Sequence, residues 1–240
     1  MPALHVVGMT MPRYNGAGGV KRLMPIDYDV RLLKLIPPTT LADVLVIRRY
    51  QSGERVFQQD DATTGLWIVL EGRVAIERIG PDGTVATPGV WVTGDIVGIA
   101  GLWDQSGYPA SARALSNPTV MGWLARNVVL RLHQEVPEFG LEISRMLSER
   151  LRFIQESHSS RQGRPIVNQV ASVLCALLPR LGSSVGLTHE DLAHIIGTHR
   201  ETVSRALQEL ARDGVVTSRH GAIDILDAKR LEEWSFGPSR

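Results

Sequence analysis

The sequence holds a single cysteine, Cys175, among 240 residues. One thiol makes no internal disulfide and no multi-cysteine zinc or iron–sulfur site. A disulfide-stapled secreted scaffold is therefore excluded, and a reducing cytoplasmic setting is the default. Histidine is missing from residues 6–132, which leaves the first half without the usual ligands for a metal or haem. Charge of one sign is missing too. Lys plus Arg number 26 and Asp plus Glu 25, for a net charge of +1. That balance excludes a strongly basic nucleic-acid coat and an acidic disordered chain. Long apolar runs are absent: a stretch such as Leu66 to Leu70 is far too short to span a bilayer. The first 23 residues carry Arg13, Lys21 and Arg22 without an acid, and Pro2, His5, Pro12 and glycines interrupt any export signal. Residues 1–24 read as a disordered tail, with Met24-Pro25 as an alternative start. What is present is ordinary for a globular protein: 43% hydrophobic and 21% charged residues, on a length that fits one large domain or two modest ones.

Residues 26–43 read as short helices stopped by Pro37-Pro38. The next eighty residues alternate short apolar runs with glycines. Leu66 to Leu70 predicts a buried strand. Arg73 to Ile79, Pro81-Asp82-Gly83 and Thr84 to Ala86 predict a hairpin. Val90 to Val92, Ile96-Val97 and Thr119 to Leu124 add strands, and the whole reads as a sandwich or barrel-like β domain over residues 25–136. A long helix follows over 137–160. Phe139, Ile143, Met146 and Phe153 form one apolar stripe, and Leu147, Leu151 and Ile154 a second beside it. The helix can pack on its own β domain, and its paired seams can also serve a partner helix. Residues 159–165 are a polar hinge. Beyond it, Ile166 to Leu178 is an amphipathic helix ending near Pro179, within a unit spanning 161–240.

Residues 187–226 carry the strongest signal. Thr188 precedes Asp191 by three residues, and Thr198 precedes Glu201 by three; both are N-cap patterns. Gly197 between them supplies the tight turn of a helix-turn-helix. Residues 215–218 and 222–226 flank Arg219-His220-Gly221 as a β-hairpin wing. Val203, Ala206, Leu207 and Leu210 fall on the inner face of the second helix. Arg200, Glu201, Ser204 and Arg205 fall on its outer face, near the N-terminus, where recognition helices read bases. Arginine pairs with guanine O6 and N7, and glutamate accepts from cytosine N4. Thr188, Thr198, His199, Thr202, Arg219 and His220 are candidates for the DNA backbone. The bland alternative is a solvated face with a Glu201–Arg205 pair.

With these segments together, the chain resembles the cyclic-AMP receptor protein and fumarate–nitrate reduction regulator superfamily of bacterial transcription factors. The resemblance runs over residues 26–235. It rests on Gly53 to Asp60, Leu66 to Val74, Gly94-Asp95-Ile96-Val97-Gly98, and Gly197-Thr198-His199-Arg200-Glu201-Thr202-Val203-Ser204-Arg205. It implies an α+β protein: a β-roll sensor, a long dimerisation helix and a C-terminal winged helix-turn-helix. It also implies a homodimer on a palindromic promoter site, a TGTGA-type half-site, RNA polymerase as a further partner, and activation more often than repression.

The departures concern the effector. Cyclic-AMP sensors of the family place a Glu on the ribose and an Arg-Ser pair on the phosphate. Here Ile99 stands at the first position, and Tyr108-Pro109 or Pro109-Ala110 at the second, depending on the register. A buried phosphate needs a cation or a nest of donors. The polar pair of the long helix falls at Ile154 and Gln155, and Arg113 matches a different family position. Weak or no cyclic-AMP binding is expected. Four thiolates for an iron–sulfur cluster are lacking. Haem is disfavoured because only His133 and His158 lie near the sensor. Trp67, Trp91, Trp103 and Trp123 all lie in the β domain, as core or as an aromatic effector pocket that would include Trp67, Ile99, Tyr108, Arg113, Ile154 and Gln155. An effector need not exist at all. Of the other function classes, a metal cupin enzyme requires a histidine cluster that is missing. An effector-binding adaptor of the same fold, without sequence-specific DNA reading, is the remaining alternative.

Overall fold

The computed structural model describes residues 30–237, apart from residues 82, 84, 105 and 160–163. The tail reading over 1–24, the tip of the predicted hairpin at Asp82 and Thr84, and the centre of the predicted hinge lie outside the described residues. Two short helices open the fold, α1 (Arg31–Lys34) and α2 (Pro38–Val44). The first helix ends before Pro37-Pro38, as the sequence predicts, and Pro38 also starts the next one. It sits at the first helical position, where its missing N–H would be unpaired anyway.

Eight strands follow: β1 (Leu45–Tyr50), β2 (Arg55–Phe57), β3 (Gly65–Glu71), β4 (Arg73–Ile79), β5 (Val85–Val92), β6 (Ile96–Val97), β7 (Ser111–Ala114) and β8 (Thr119–Ala125). They form two four-stranded antiparallel sheets, ordered β1-β8-β3-β6 and β2-β7-β4-β5. The continuous apolar run of β3 follows from burial on both faces. Leu66, Ile68 and Leu70 join the core shared with the helices, whereas Trp67 and Val69 point between the sheets. Each such aliphatic side chain contributes roughly 1.5–3 kcal/mol.

The hairpin arm ending at Ala86 and the separate strand over 90–92 are one strand, β5, paired to β4 on either side of a bulge at residues 87 and 88. Pro88 and Gly89 are tolerated inside it because β5 is the edge of its sheet.

Helices α3 (Arg126–Glu135) and α4 (Pro137–Ser159) follow. The two stripes of α4 part company. Phe139 and Ile143 are buried in the core with α1, α3 and β3, and Met146 packs against it. Leu147 and Leu151 face outward, 39% and 57% exposed, with Leu141 at 71%. The side chains of Phe153 and Ile154 lie outside the described ones.

The C-terminal unit comprises α5 (Ile166–Leu181), β9 (Ser184–Val185), α6 (His189–Ile196), α7 (Arg200–Arg212), β10 (Val216–Arg219), β11 (Ala222–Ile225) and α8 (Ala228–Phe236). Helix α5 runs through Pro179 rather than ending there, because a proline in the last turn removes only the bond to one preceding carbonyl. One apolar core gathers Leu174, Leu177, Leu192, Ile195, Val203, Leu207, Leu210, Ile223 and Leu231. The wing has a third strand that the sequence reading lacks: β9 pairs with β11.

The two units touch. Val90 and Val92 of β5 belong to the same buried cluster as the helices of the C-terminal unit, and α6 packs on β5. Arg73, opposite Val92 on β4, reaches Gly186, where an added methyl group would meet its Nη1 2.6 Å away. Burial lowers the Arg73 pKa, and the Asp191 charge partly offsets this.

Candidate nucleic-acid interface and effector cavity

The first helix of the helix-turn-helix starts as its sequence requires. The Thr188 hydroxyl accepts from the Asp191 N–H at 3.1 Å, and the Asp191 carboxylate accepts from the Thr188 N–H at 2.8 Å. This reciprocal capping box satisfies donors that the helix cannot pair internally. Thr188→Ala is expected to lower stability by about 1 kcal/mol, within the 0.5–2 range of such caps, read as a reduced Tm. Gly197 then turns the chain at φ 78°, a left-handed conformation that costs glycine little.

The second expected cap is not there. The N-cap of α7 is His199, with no side-chain cap bond, and the helix begins at Arg200. The Thr198 N–H is taken by the Ala193 carbonyl at the end of α6, which holds Thr198 in the turn.

Helix α7 presents two faces. Val203, Ala206, Leu207 and Leu210 are buried, and Arg200, Glu201 and Arg205 are exposed on its first two turns. Arg205 Nε lies 3.5 Å from the Glu201 carbonyl, so its bond is to the backbone and not to the carboxylate. Ser204 is half-buried, and its hydroxyl lies 2.9 Å from His189 Nδ1. The other ring nitrogen of His189 lies 3.2 Å from the Ser218 hydroxyl on the wing. His189 thus ties α6 to both α7 and β10, a role with no marker in the sequence. Burial, followed by the Arg200 charge, lowers its pKa. His199 and His220 are exposed, and Thr198 and Thr202 are half-buried. Arg219 is bound through two nitrogens to the Asp224 carboxylate and reaches the Ser184 hydroxyl at 3.1 Å. The predicted backbone cation of the wing is therefore engaged within the protein.

A cavity of about 240 Å³ lies between the sheets and α4. Ile99 and Tyr108 line it as expected from the sequence, together with Phe57, Ile76, Trp91, Met146, Leu147 and Arg150. Gly98 stands where a methyl group would come within 2.7 Å of the Tyr108 ring. Two predicted pocket residues are elsewhere. Trp67 is behind the wall, donating its indole N–H to the Tyr108 hydroxyl at 3.2 Å. Arg113 is paired with Glu77 at 2.5 Å on the neighbouring strand. Gln155 is exposed and is not among the described lining residues, and the Ile154 side chain is outside the described ones. The Arg150 guanidinium lies 3.4 Å from the Trp91 ring centroid and donates to the Val90 carbonyl at 3.4 Å. Phe57 and Tyr108 stack at 4.0 Å between centroids.

Cys175 packs against the C-terminal core, and burial pushes its thiol up to about 11. Alkylation at pH 7.5 is expected to run at least about 100-fold slower than for an ordinary thiol of pKa ~8.5, measured by mass spectrometry. No group of three or more His, Cys, Asp or Glu side chains suited to a metal occurs among the described residues. No helix there is long and apolar enough to cross a membrane.

Comparison with known proteins meets this geometry at both ends of the chain. A family model described as "Cyclic nucleotide-binding domain" matches residues 47–135, and one described as "Crp-like helix-turn-helix domain" matches residues 168–234. The cyclic AMP receptor protein of Thermus thermophilus is 32% identical over 191 residues, covering 79% of this chain and 88% of that protein. The nitrogen fixation regulation protein FixK of Bradyrhizobium diazoefficiens is 30% identical, covering 76% and 79%. The solved structure of FixK2 from Bradyrhizobium japonicum shares the fold, with a TM-score of 0.71 at 20% identity over 82% of this chain and 100% of that one. With a nucleotide-domain sandwich, a winged helix-turn-helix and a relative at this identity over most of both lengths, the chain belongs to the CRP/FNR superfamily of transcriptional regulators.

Proposed function

We propose that the chain is a sequence-specific regulator that acts as a homodimer on a palindromic promoter site of TGTGA type and does not answer to cyclic AMP. The observation that carries the DNA reading is the exposed trio Arg200, Glu201 and Arg205 on the first two turns of α7. These are the positions and side-chain types that reach base edges in a major groove. Ser204 supports the helix through His189 and is at best a secondary contact. Thr188, Thr198, His199, Thr202 and His220 are assigned to phosphates. The outward residues Leu141, Leu147 and Leu151 of α4 favour a partner helix there, and two-fold symmetry then sets the half-sites one helical turn apart. By analogy with the family, promoter activation through RNA polymerase is the expected outcome of binding, in the cytoplasm.

Selection of bound sequences from random duplex DNA, with ligand-free protein, tests this reading. A palindromic consensus supports it. Recovery of no consensus overturns it in favour of an adaptor, and recovery of unspaced single half-sites overturns the homodimer.

The lining of the cavity supports independence from cyclic AMP. Among its described residues the charged ones are Asp95 and Arg150, and Arg150 is stacked on Trp91 and bonded to the Val90 carbonyl. Ile99, Pro109 and Ala110 supply no donor side chain for ribose or phosphate. Calorimetry is expected to show a Kd for cyclic AMP weaker than about 10 μM, less than ~7 kcal/mol of binding; a tighter value overturns this part alone.

A further inference from the structure

We propose that His189 is a positioning residue for base reading: its neutral imidazole takes the hydroxyl proton of Ser204, so that Ser204 meets DNA only as an acceptor and selects a base carrying an amino group, adenine or cytosine. The inference deepens the regulator reading and rests on it. A serine hydroxyl left to itself both gives and accepts, and so reads either kind of base edge. Ser204 stands on α7 one turn from the exposed Arg200 and beside the exposed Arg205.

His189 removes the ambiguity. Its ring bridges two hydroxyls, with Ser204 at 2.9 Å from Nδ1 and Ser218 of the wing at 3.2 Å from Nε2. A neutral imidazole has one N–H and one bare nitrogen. One hydroxyl therefore donates to the ring and the other accepts from it. The ring is held neutral. Burial and the Arg200 charge lower its pKa, and His189 is the first residue of α6, where the helix dipole disfavours a cation.

Two observations decide which hydroxyl donates. Ser144, Ser148 and Ser172 give their hydroxyl protons to the carbonyls four residues back in their helices. Ser204 turns to Nδ1 instead, and Nδ1 takes the place of that carbonyl as acceptor. Ser218 is exposed on β10, and a wing hydroxyl that meets a phosphate has to donate. It keeps its proton for that purpose only by accepting from Nε2–H. Both point to the tautomer protonated at Nε2. The Ser204 oxygen then turns lone pairs toward the groove, where adenine N6 and cytosine N4 are the donors.

Two measurements test this, the first without DNA. Nitrogen-15 NMR of the His189 ring at about pH 7.5 is expected to show a proton on Nε2 and none on Nδ1. A protonated Nδ1 overturns the inference. The second is binding to every single-base variant of the palindrome recovered by the selection. Ser204→Ala is expected to erase a preference of about fivefold for adenine or cytosine at one position per half-site. His189→Ala is expected to erase the same preference, because the released hydroxyl rotates to give or accept. His189→Leu serves should the alanine variant not fold. His189→Asp puts an acceptor-only carboxylate where Nδ1 stood and is expected to restore the preference. Its added negative charge weakens all sequences alike and leaves the preference readable. A histidine that merely braces the fold would leave the preference intact in any folded variant. A preference kept in a folded His189→Ala or His189→Leu variant, a preference for guanine or thymine, or no rescue by His189→Asp overturns the inference. No consensus from the wild type overturns the regulator reading and the role of His189 with it. A consensus indifferent to His189 overturns this inference alone.

Discussion

Arg205→Ala is expected to weaken binding to each half-site by about 1–3 kcal/mol and to relax base preference at one position. A homodimer carries the substitution twice, so the full palindrome loses about 2–6 kcal/mol. Arg200→Ala is expected to behave alike at a different base pair. The reason lies in where these side chains stand. The inner face of α7 is fixed by Val203, Leu207 and Leu210, all buried, so the outer face is held rigidly outward. Neither arginine packs in that core, so replacing it leaves the fold in place. The discriminating readout is the pattern rather than the size of the loss. Weakening that is uniform across all sequences would mark a phosphate contact. Weakening confined to one base pair per half-site marks base reading. Quantitative footprinting on single-base variants of the selected palindrome separates the two.

Phe139→Ala is expected to lower unfolding free energy by about 3–5 kcal/mol. Phe139 is fully buried on α4, in the cluster that joins Leu32, Leu33, Leu66, Leu132 and Ile143. Removing the ring leaves a cavity among groups drawn from two helices, α1 and α3, and a central strand, which have little freedom to collapse into it. Chemical denaturation with an unchanged m-value checks it. Leu151→Ala provides the contrast. Its side chain is 57% exposed, so the same type of truncation on the same helix is expected to cost little in a monomer. A large concentration-dependent loss there would report the partner helix.

Much of this was legible in the chain because local signals and tertiary burial agree. The Leu66 to Leu70 run reads as a strand because both its faces are covered, one by helices and one by the opposite sheet. Thr188 and Asp191 read as a cap because the box is closed within four residues. Thr198 and Glu201 show the same spacing and fail. The Ala193 carbonyl of α6 captures the Thr198 N–H, and the next helix starts two residues later. A local pattern has no means of recording that competition. The cavity was harder to read for a related reason. Its walls come from β2, β4, β5, β6 and α4, and only folding brings Phe57, Trp91 and Arg150 together. Ile99 and Tyr108 were identified through the family resemblance. Trp67 and Arg113 were misplaced because a neighbour took each of them: the Tyr108 hydroxyl in one case and the Glu77 carboxylate in the other. The alternation Val90-Trp91-Val92 was a readable signal. The sequence marks Val90 to Val92 as a strand, but only the fold shows that the two valines and Trp91 face different cores.

The clamp on Arg219 bears on how binding responds to ionic strength. Each phosphate neutralised by a basic side chain releases counterions, and log K falls with log salt by about 0.9 per contact. Asp224 holds Arg219 in a two-pronged pair on the wing. A guanidinium already matched by a carboxylate displaces few ions from DNA unless that pair opens. The wing therefore adds shape more than charge, and the salt slope of this protein should be set by its helix-turn-helix alone. Asp224→Asn, by releasing Arg219, would steepen that slope by about one unit and shift the protein from discrimination toward indiscriminate adhesion.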